Sequence, residues 1–425
     1  MNSPSRVPGR AWVVTVAGMA VNLCLGILYA WSIWKKHLLA TVEHPAGSPM
    51  TGLNEGWHYL SDSDATWAYS LCGFLFALTM IPGGRLQDRF GPKIGVTLGG
   101  LFLAGGCVLA GLMQSYLGLI LGFGVLGGIG MGLGYAAATP AAVKWFGPER
   151  RGLIVGLVVA GYGGAAIYIA PLAEYLIAHH GLSGSFIGLG GLFAVVIIIA
   201  GQLLKTPPAG YTPPSPPQTA TTVTRTDWAP SQVVKTWQLY ALVFLFFCSA
   251  QSGLLVIANA APMLNKTAAS VAFFAANAWI LASFGGFVNA AGRVGTGKYS
   301  DALGRANAFR INGVFAAVCL LVMPTIMDSG NIPLLFLAVG VAYWQYGGGL
   351  ALMPAFTADY FGPKNMGMNY GLVFLGWGLA FFVPLLAGIL KVRTGRLDEA
   401  LYASASLMIL AVLLSWRLKK PTSPV

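Results

Sequence analysis

Arg293 is the residue whose type and position most clearly predict chemistry. It lies in a long apolar stretch, residues 270–296, that we predict to cross a membrane. A charge inside a bilayer costs at least about 2.5–3.5 kcal/mol, so such residues usually face a cavity. A guanidinium matches a carboxylate through paired hydrogen bonds. Because Arg293 lies four residues before Gly297, we expect it about one helical turn from the inner surface. An arginine that extends to that surface without binding anything is therefore the alternative interpretation.

Asn289 lies four residues before Arg293, on the same face of a helix. Its amide can orient the guanidinium or bind the second oxygen of a carboxylate, but it cannot titrate. Elsewhere the predicted spans offer few groups for proton chemistry. All five histidines fall on the outer side, and Glu174, near the outer end of its span, is the best candidate to carry a proton.

The predicted spans contain no pattern typical of an enzyme or a metal site. The five cysteines lie in apolar stretches without a CxxC pair, and we interpret them as packing residues. A membrane enzyme would need His, Asp or Glu within the bilayer. We therefore expect no enzymatic activity, no metal and no cofactor.

The elements that hold Arg293 are predicted to be membrane helices. Only 9% of the 425 residues are charged and 56% are hydrophobic, whereas a soluble domain carries about 25% charged residues. Apolar runs near the ~20 residues that span a bilayer recur along the chain. We predict an all-α integral membrane protein with twelve spans, at residues 11–34, 66–86, 95–114, 117–140, 152–174, 184–204, 237–262, 270–296, 307–327, 332–355, 368–391 and 398–418.

Basic residues predict the orientation. With both termini in the cytoplasm, 18 of the 25 lysines and arginines lie in inner segments, 6 lie in outer segments, and the remaining one is Arg293. This distribution satisfies the positive-inside rule. It explains the net charge of +12 better than a nucleic-acid-binding surface does. We expect a multi-pass protein of a bacterial inner membrane, surrounded by lipid and active as a monomer.

The chain contains an internal repeat. Residues 84–93 (GRLQDRFGPK) and 297–305 (GKYSDALGR) both read G-x-x-x-D-x-x-G, and FGPERRG at Phe146 is repeated as FGPKNMG at Phe361. A Pro/Thr-rich segment separates the copies. We predict two pseudo-symmetric six-helix halves, 1–204 and 236–425, joined by a cytoplasmic linker, 205–235. Duplicated halves are typical of carriers that work by alternating access.

The repeated loops also predict an inner gate. Asp88 and Arg89 belong to the first copy, and Asp301 and Arg305 to the second. Such charges can pair with helix N-termini or with an arginine across the interface between the halves. The alternative is that they only fix the topology.

The two copies of the G-x-x-x-D-x-x-G loop resemble the signature loop of the major facilitator superfamily, and the resemblance covers essentially the whole chain. More narrowly, LYAWSIW in span 1, GLGY in span 4, AGYG in span 5 and MNYG in span 11 resemble the oxalate/formate antiporter and bacterial monocarboxylate transporter group. This resemblance implies that Arg293 binds a substrate carboxylate. It also implies an aromatic cage around a small anion, formed by Tyr29, Tyr135, Tyr162, Tyr346 and Phe374, with Leu28 as an apolar wall.

Two positions depart from the pattern of this group. In animal monocarboxylate transporters the residue at the position of Asn289 is an aspartate, thought to take part in proton coupling. In a dicarboxylate exchanger of the group, the position of Trp377 is an essential lysine. With one arginine and no lysine, a second carboxylate would be desolvated without a partner, which is unfavourable.

We therefore predict a transporter of small monocarboxylates, such as lactate or pyruvate, that is coupled to protons. An oxalate/formate-type carboxylate exchanger is the alternative. A sugar or drug porter, or a receptor that does not transport, is disfavoured.

Overall fold

The protein is described by a computed structural model that covers residues 7–147, 151–208, 210, 211, 213, 227–362, 365–394 and 396–422. Within these residues the chain is helical and forms no strand. The main helices are α1 (Gly9–Leu38), α2 (Asp62–Phe90), α3 (Pro92–Met113), α4 (Tyr116–Val143), α5 (151–180), α6 (182–203), α7 (Trp237–Thr267), α8 (Trp279–Leu303), α9 (Arg305–Ser329), α10 (Ile332–Phe361), α11 (Met366–Leu390) and α12 (Asp398–Ser415).

The described helices agree with the predicted number of spans. Ten continuous helical stretches are long and apolar enough to cross a membrane, by length and composition. The longest of them, Leu153–Leu203, is divided by Gly181, whose φ of 69° breaks the helix into α5 and α6. Helix α8, which is more polar, completes the set of twelve. The predicted all-α membrane fold is confirmed. We call the side that holds Leu38 and Asp62 outer, and the side that holds Phe90 inner.

Helices α2 and α8 extend further inward than the sequence predicted. They end at Phe90 and Leu303 rather than at 86 and 296. Both stop at the last glycine of the repeated motif, Gly91 with φ 82° and Gly304 with φ 83°, a conformation that side chains disfavour. The repeat therefore encodes the turn that ends each helix. The polar residues before that turn have the composition of a loop, although they belong to the helix.

The position of α8 corrects the predicted depth of Arg293. The helix begins at Trp279, after a separate short helix, Ala272–Ala276. Ten helical residues follow Arg293, which corresponds to about 15 Å. The prediction that Arg293 lies one turn from the inner surface is wrong, and the side chain lies near the middle of its helix.

Small residues allow helices from the first and second parts of the chain to pack closely. A Cβ atom at Gly84 of α2 would lie 3.4 Å from the backbone of Gly367 in α11, and one at Gly156 of α5 would lie 3.5 Å from the Cα atom of Val294 in α8. Close backbone approach through small residues is typical of membrane helices. The division of the chain at 205–235 stays a prediction, because much of that segment (209, 212 and 214–226) lies outside the described residues.

Helix α1 changes its winding at the level of Arg293. It runs as an α-helix over Gly9–Leu25, tightens to a 3-10 helix over Gly26–Ala30, and continues as an α-helix over Trp31–Leu38. A 3-10 stretch in the middle of a helix often marks a functional hinge or strain. Here it carries Tyr29, which reaches Arg293.

Candidate anion-binding site

The Arg293 guanidinium is completely buried (0% exposed) and makes three hydrogen bonds. Nε donates to Asn289 Oδ1 at 3.1 Å, Nη1 to the Val159 carbonyl oxygen at 2.7 Å, and Nη2 to the Tyr29 hydroxyl oxygen at 3.1 Å. A guanidinium has five N–H donors. These three bonds therefore leave two donors for a ligand.

The charge of Arg293 has no counter-ion in the described part of the chain. All three of its acceptors are neutral, and none of the ion pairs between described residues includes it. Burying an unpaired charge is strongly unfavourable. A bound anion would supply the missing charge.

A chain of hydrogen bonds extends from Arg293 to Trp377. The Tyr29 and Tyr346 hydroxyl oxygens are 2.8 Å apart, and Trp377 Nε1 donates to the Tyr346 hydroxyl oxygen at 2.8 Å. The Tyr29 oxygen also accepts from Arg293, and the Tyr346 oxygen accepts from Trp377. Only one of the two tyrosine hydroxyls can donate to the other, so the second hydroxyl hydrogen has no acceptor in this chain. The site is thus rich in donors, which suits a ligand that accepts hydrogen bonds.

Aromatic rings enclose the guanidinium. The Tyr29 and Tyr162 ring centroids lie 5.9 Å and 5.8 Å from Arg293 Cζ, within the range of cation–π attraction. The Tyr162 hydroxyl donates to Met131 Sδ at 3.7 Å, so Tyr162 offers its ring rather than its hydroxyl. Tyr135 packs against Tyr162 at 5.5 Å and belongs to the same wall.

Phe76 of α2 is the centre of the aromatic wall, and the sequence did not reveal it. Its ring lies 5.4 Å from Tyr135, 5.4 Å from Phe374 and 4.9 Å from Trp377. These partners belong to α4 and α11, so no local spacing could have indicated the cluster. Of the predicted wall residues, Leu28 is fully buried beside Tyr29, but no contact recorded for the described residues ties it to Arg293.

Two features of α5 were also missed. The Val159 carbonyl accepts from Arg293, and a backbone acceptor leaves no trace in residue type. Gly163 gives the guanidinium its space, because a Cβ atom there would lie 2.8 Å from Arg293 Nε and 3.1 Å from Asn289 Oδ1. The GYGG sequence of α5 was a detectable signal for such a close approach.

At the inner side, Arg305 connects three helices. It pairs with Asp301 at 2.6 Å and with Asp359 at 3.3 Å, and also donates to the Ser300 hydroxyl. Asp301 ends α8, Arg305 begins α9 and Asp359 lies near the end of α10. Both carboxylates belong to the C-terminal part of the chain, so these two ion pairs do not cross the interface between the halves; pairing with a helix N-terminus or across that interface stays a prediction.

The first copy of the motif looks different where it is described. Arg89 is exposed, and its Cζ atom lies 5.2 Å from the Phe90 ring centroid. The side chain of Asp88 lies outside what the structure describes, so its predicted pairing stays a prediction.

Glu174 forms a partly buried cluster near the outer end of α5. Lys36 Nζ and His37 Nε2, both from α1, lie 3.2 Å from its carboxylate oxygens. The cluster joins α1 to α5 and contains two groups that can exchange a proton.

The sequence matches proteins of known family. A model of the Major Facilitator Superfamily matches residues 11–344. The chain is 26% identical over 377 residues to the uncharacterized MFS-type transporter YhjX of Escherichia coli (strain K12), covering 89% of this chain and 87% of that protein. It is 26% identical over 365 residues to the oxalate:formate antiporter of Oxalobacter formigenes, covering 85% and 80%. It is 25% identical over 431 residues to monocarboxylate transporter 12-B of Danio rerio, covering 95% and 84%.

Proposed function

The chain belongs to the Major Facilitator Superfamily, and from that premise we propose that it transports small monocarboxylates, such as lactate or pyruvate, by alternating access. The observation that carries the proposal is Arg293, a fully buried cation whose described partners are all neutral. A carboxylate would neutralise it and use its two remaining donors. The names of the relatives, an oxalate:formate antiporter and monocarboxylate transporters, support a carboxylate.

The charge of the site favours one carboxylate over two. Arg293 is the charged member of the hydrogen-bonded chain that ends at Trp377, and the indole of Trp377 contributes a neutral donor to Tyr346. A second carboxylate would lose its water without gaining a cation, which is unfavourable. Lactate and pyruvate each need one cation.

Exchange of one carboxylate for another is the second candidate, and the same buried charge favours it. When the site is empty, the guanidinium is buried without a counter-ion, so an empty carrier should change conformation reluctantly. Coupled net uptake would need a proton. Because Asn289 cannot titrate, the proton would enter with the substrate or through the outer cluster of Glu174 and His37.

We further propose that the inner charges act as a gate. Arg305 joins the ends of α8 and α10 through its two ion pairs. Opening the inner side would separate these ends and break at least one ion pair. Asp88 and Arg89 are proposed to act in the same way in the first half.

Counterflow of labelled lactate in proteoliposomes tests the proposal. Arg293→Gln keeps hydrogen-bond donors but removes the charge, and we expect it to lose counterflow and lactate binding. A hydrogen bond to a charged group contributes about 1.5–3 kcal/mol, so the loss of affinity should be at least about tenfold. Arg310→Gln is the matched control, because Arg310 contacts Asn307 and Ser415 at the inner end of α9. Normal lactate binding by a correctly inserted Arg293→Gln protein would refute the proposal.

A further inference from the structure

Two buried tyrosine hydroxyls on the outer side of Arg293 have no hydrogen-bond partner among the described residues. They belong to Tyr69 of α2 and Tyr343 of α10, each only 1% exposed. Tyr343 precedes Tyr346 by three residues on the outer side. Leaving a hydroxyl buried without a partner is unfavourable. Hydroxyls of this kind on the outer side of the site are available to a polar ligand.

The Asn289 side chain supplies a third unused donor. Its Oδ1 accepts from Arg293 Nε, which fixes the orientation of the amide because Nε can only donate. The Nδ2 atom is buried without a partner among the described residues. The amide thus holds the guanidinium with one atom and offers the other to a ligand.

The geometry of α8 places Asn289 and the Tyr343 ring on one helix face. Gly285, Asn289 and Arg293 follow at four-residue spacing along one face of α8. The Tyr343 ring lies directly on that face, since a Cβ atom at Gly285 would be 2.4 Å from its Cε1 and Cζ atoms. Tyr69 packs against Phe381 at 5.0 Å, and Phe381 packs against Trp377, the end of the hydrogen-bonded chain, at 4.5 Å.

The chemistry of the donors indicates which group they bind. Hydroxyls and an amide are neutral, so they suit a neutral oxygen better than a second carboxylate. Asn289 lies about 6 Å along the helix from Arg293, and the guanidinium reaches back to its amide, so one small acid can contact both groups. A hydroxyl can also accept, so the same groups suit a keto oxygen or an alcohol.

Building on the proposed function, we propose that Tyr69, Tyr343 and the Asn289 amide form a second polar subsite on the outer side of Arg293. This subsite binds the oxygen that a 2-oxo or 2-hydroxy monocarboxylate carries next to its carboxylate. It makes the protein discriminate against plain alkanoates of the same length.

Isosteric variants test the subsite. Tyr343→Phe and Tyr69→Phe each remove one hydroxyl and keep the ring. Dissociation constants for pyruvate, lactate and propanoate are measured by calorimetry on the purified full-length protein. We expect the wild type to prefer pyruvate and lactate over propanoate. Each variant should lower that preference about three- to tenfold, as the loss of a neutral hydrogen bond predicts, and should leave propanoate binding within about twofold.

Thr267→Val is the matched control, because the Thr267 hydroxyl is also buried without a partner among the described residues but lies at the outer end of α7, beside Gly330. Its preference should equal that of the wild type. The inference is overturned if the wild type shows no preference, if Tyr343→Phe and Tyr69→Phe both keep it, or if Thr267→Val lowers it equally. These outcomes differ from failure of the proposed function, in which Arg293→Gln would bind all three acids normally.

Discussion

Replacing Gly163 by alanine should weaken substrate binding without touching a polar group. The added Cβ atom would lie 2.8 Å from Arg293 Nε, 3.1 Å from Asn289 Oδ1 and 3.2 Å from the backbone nitrogen of Ala290. Nonbonded carbon contacts are most favourable at about 3.5–4.0 Å. The guanidinium must therefore retreat by roughly 0.5–1 Å, because the backbone of α8 yields less easily than a side chain.

The size of the effect follows from the bonds that this movement breaks. The Arg293 Nη1 bond to Val159 is 2.7 Å long and the Nε bond to Asn289 is 3.1 Å long, and at least one cannot survive the shift. A hydrogen bond to a charged group contributes about 1.5–3 kcal/mol. If the displaced guanidinium also loses its alignment with the substrate, affinity falls about 10- to 150-fold.

Gly156→Ala is the control for this experiment. Gly156 lies two turns away on the same helix and also faces α8, but a Cβ atom there would lie 3.5 Å from Val294 Cα, an ordinary contact. Calorimetry gives the dissociation constant for lactate, and thermal melting shows whether each variant is folded. Lactate affinity within about twofold of wild type for Gly163→Ala, or an equal loss for Gly156→Ala, would refute the reasoning.

Two further substitutions test the neighbouring groups. Asn289→Asp places a carboxylate against Arg293, so lactate binding should weaken at least about tenfold. The neighbouring guanidinium holds the pKa of that carboxyl below its usual value, so the loss should persist from about pH 7 to about pH 5; calorimetry across this range checks it, and lactate affinity equal to that of the wild type would contradict it. Arg305→Ala removes the ion pairs to Asp301 and Asp359, and exposed pairs contribute about 0–1 kcal/mol each. Amide hydrogen exchange at the inner ends of α8 and α10 should therefore accelerate up to about fivefold. Lactate affinity should be unchanged. Unaltered exchange would argue against the gate.

The sequence predicted those features that depend on one helix at a time. Apolar length reveals a membrane helix without knowledge of its neighbours, and four-residue spacing was sufficient to place Asn289 beside Arg293. The end of α8 was missed because Lys298, Ser300 and Asp301 have the composition of a loop, although they continue the helix. Only the φ of Gly304, a property of the folded chain, shows where the helix ends.

Contacts between distant helices could not be predicted. Val159 and Arg293 are separated by 134 residues, and a backbone carbonyl has no signature in the sequence. Phe76 resembles any other aromatic residue of a membrane helix until α4 and α11 are packed around it. The binding roles of Arg293 and its aromatic neighbours stay predictions until the variants are measured.

The bonds of Arg293 have a consequence for the kinetics of transport. The Arg293 guanidinium of α8 is hydrogen-bonded to Tyr29 of α1 and to Val159 of α5. In the absence of substrate these bonds therefore hold together helices that must move apart during transport. A carboxylate bound through the two remaining N–H groups would supply the missing negative charge and weaken these bonds to neutral acceptors. We therefore expect substrate binding to accelerate the conformational change of the carrier. Part of the binding energy lowers the barrier between conformations instead of appearing as affinity. A good substrate will then bind only moderately tightly.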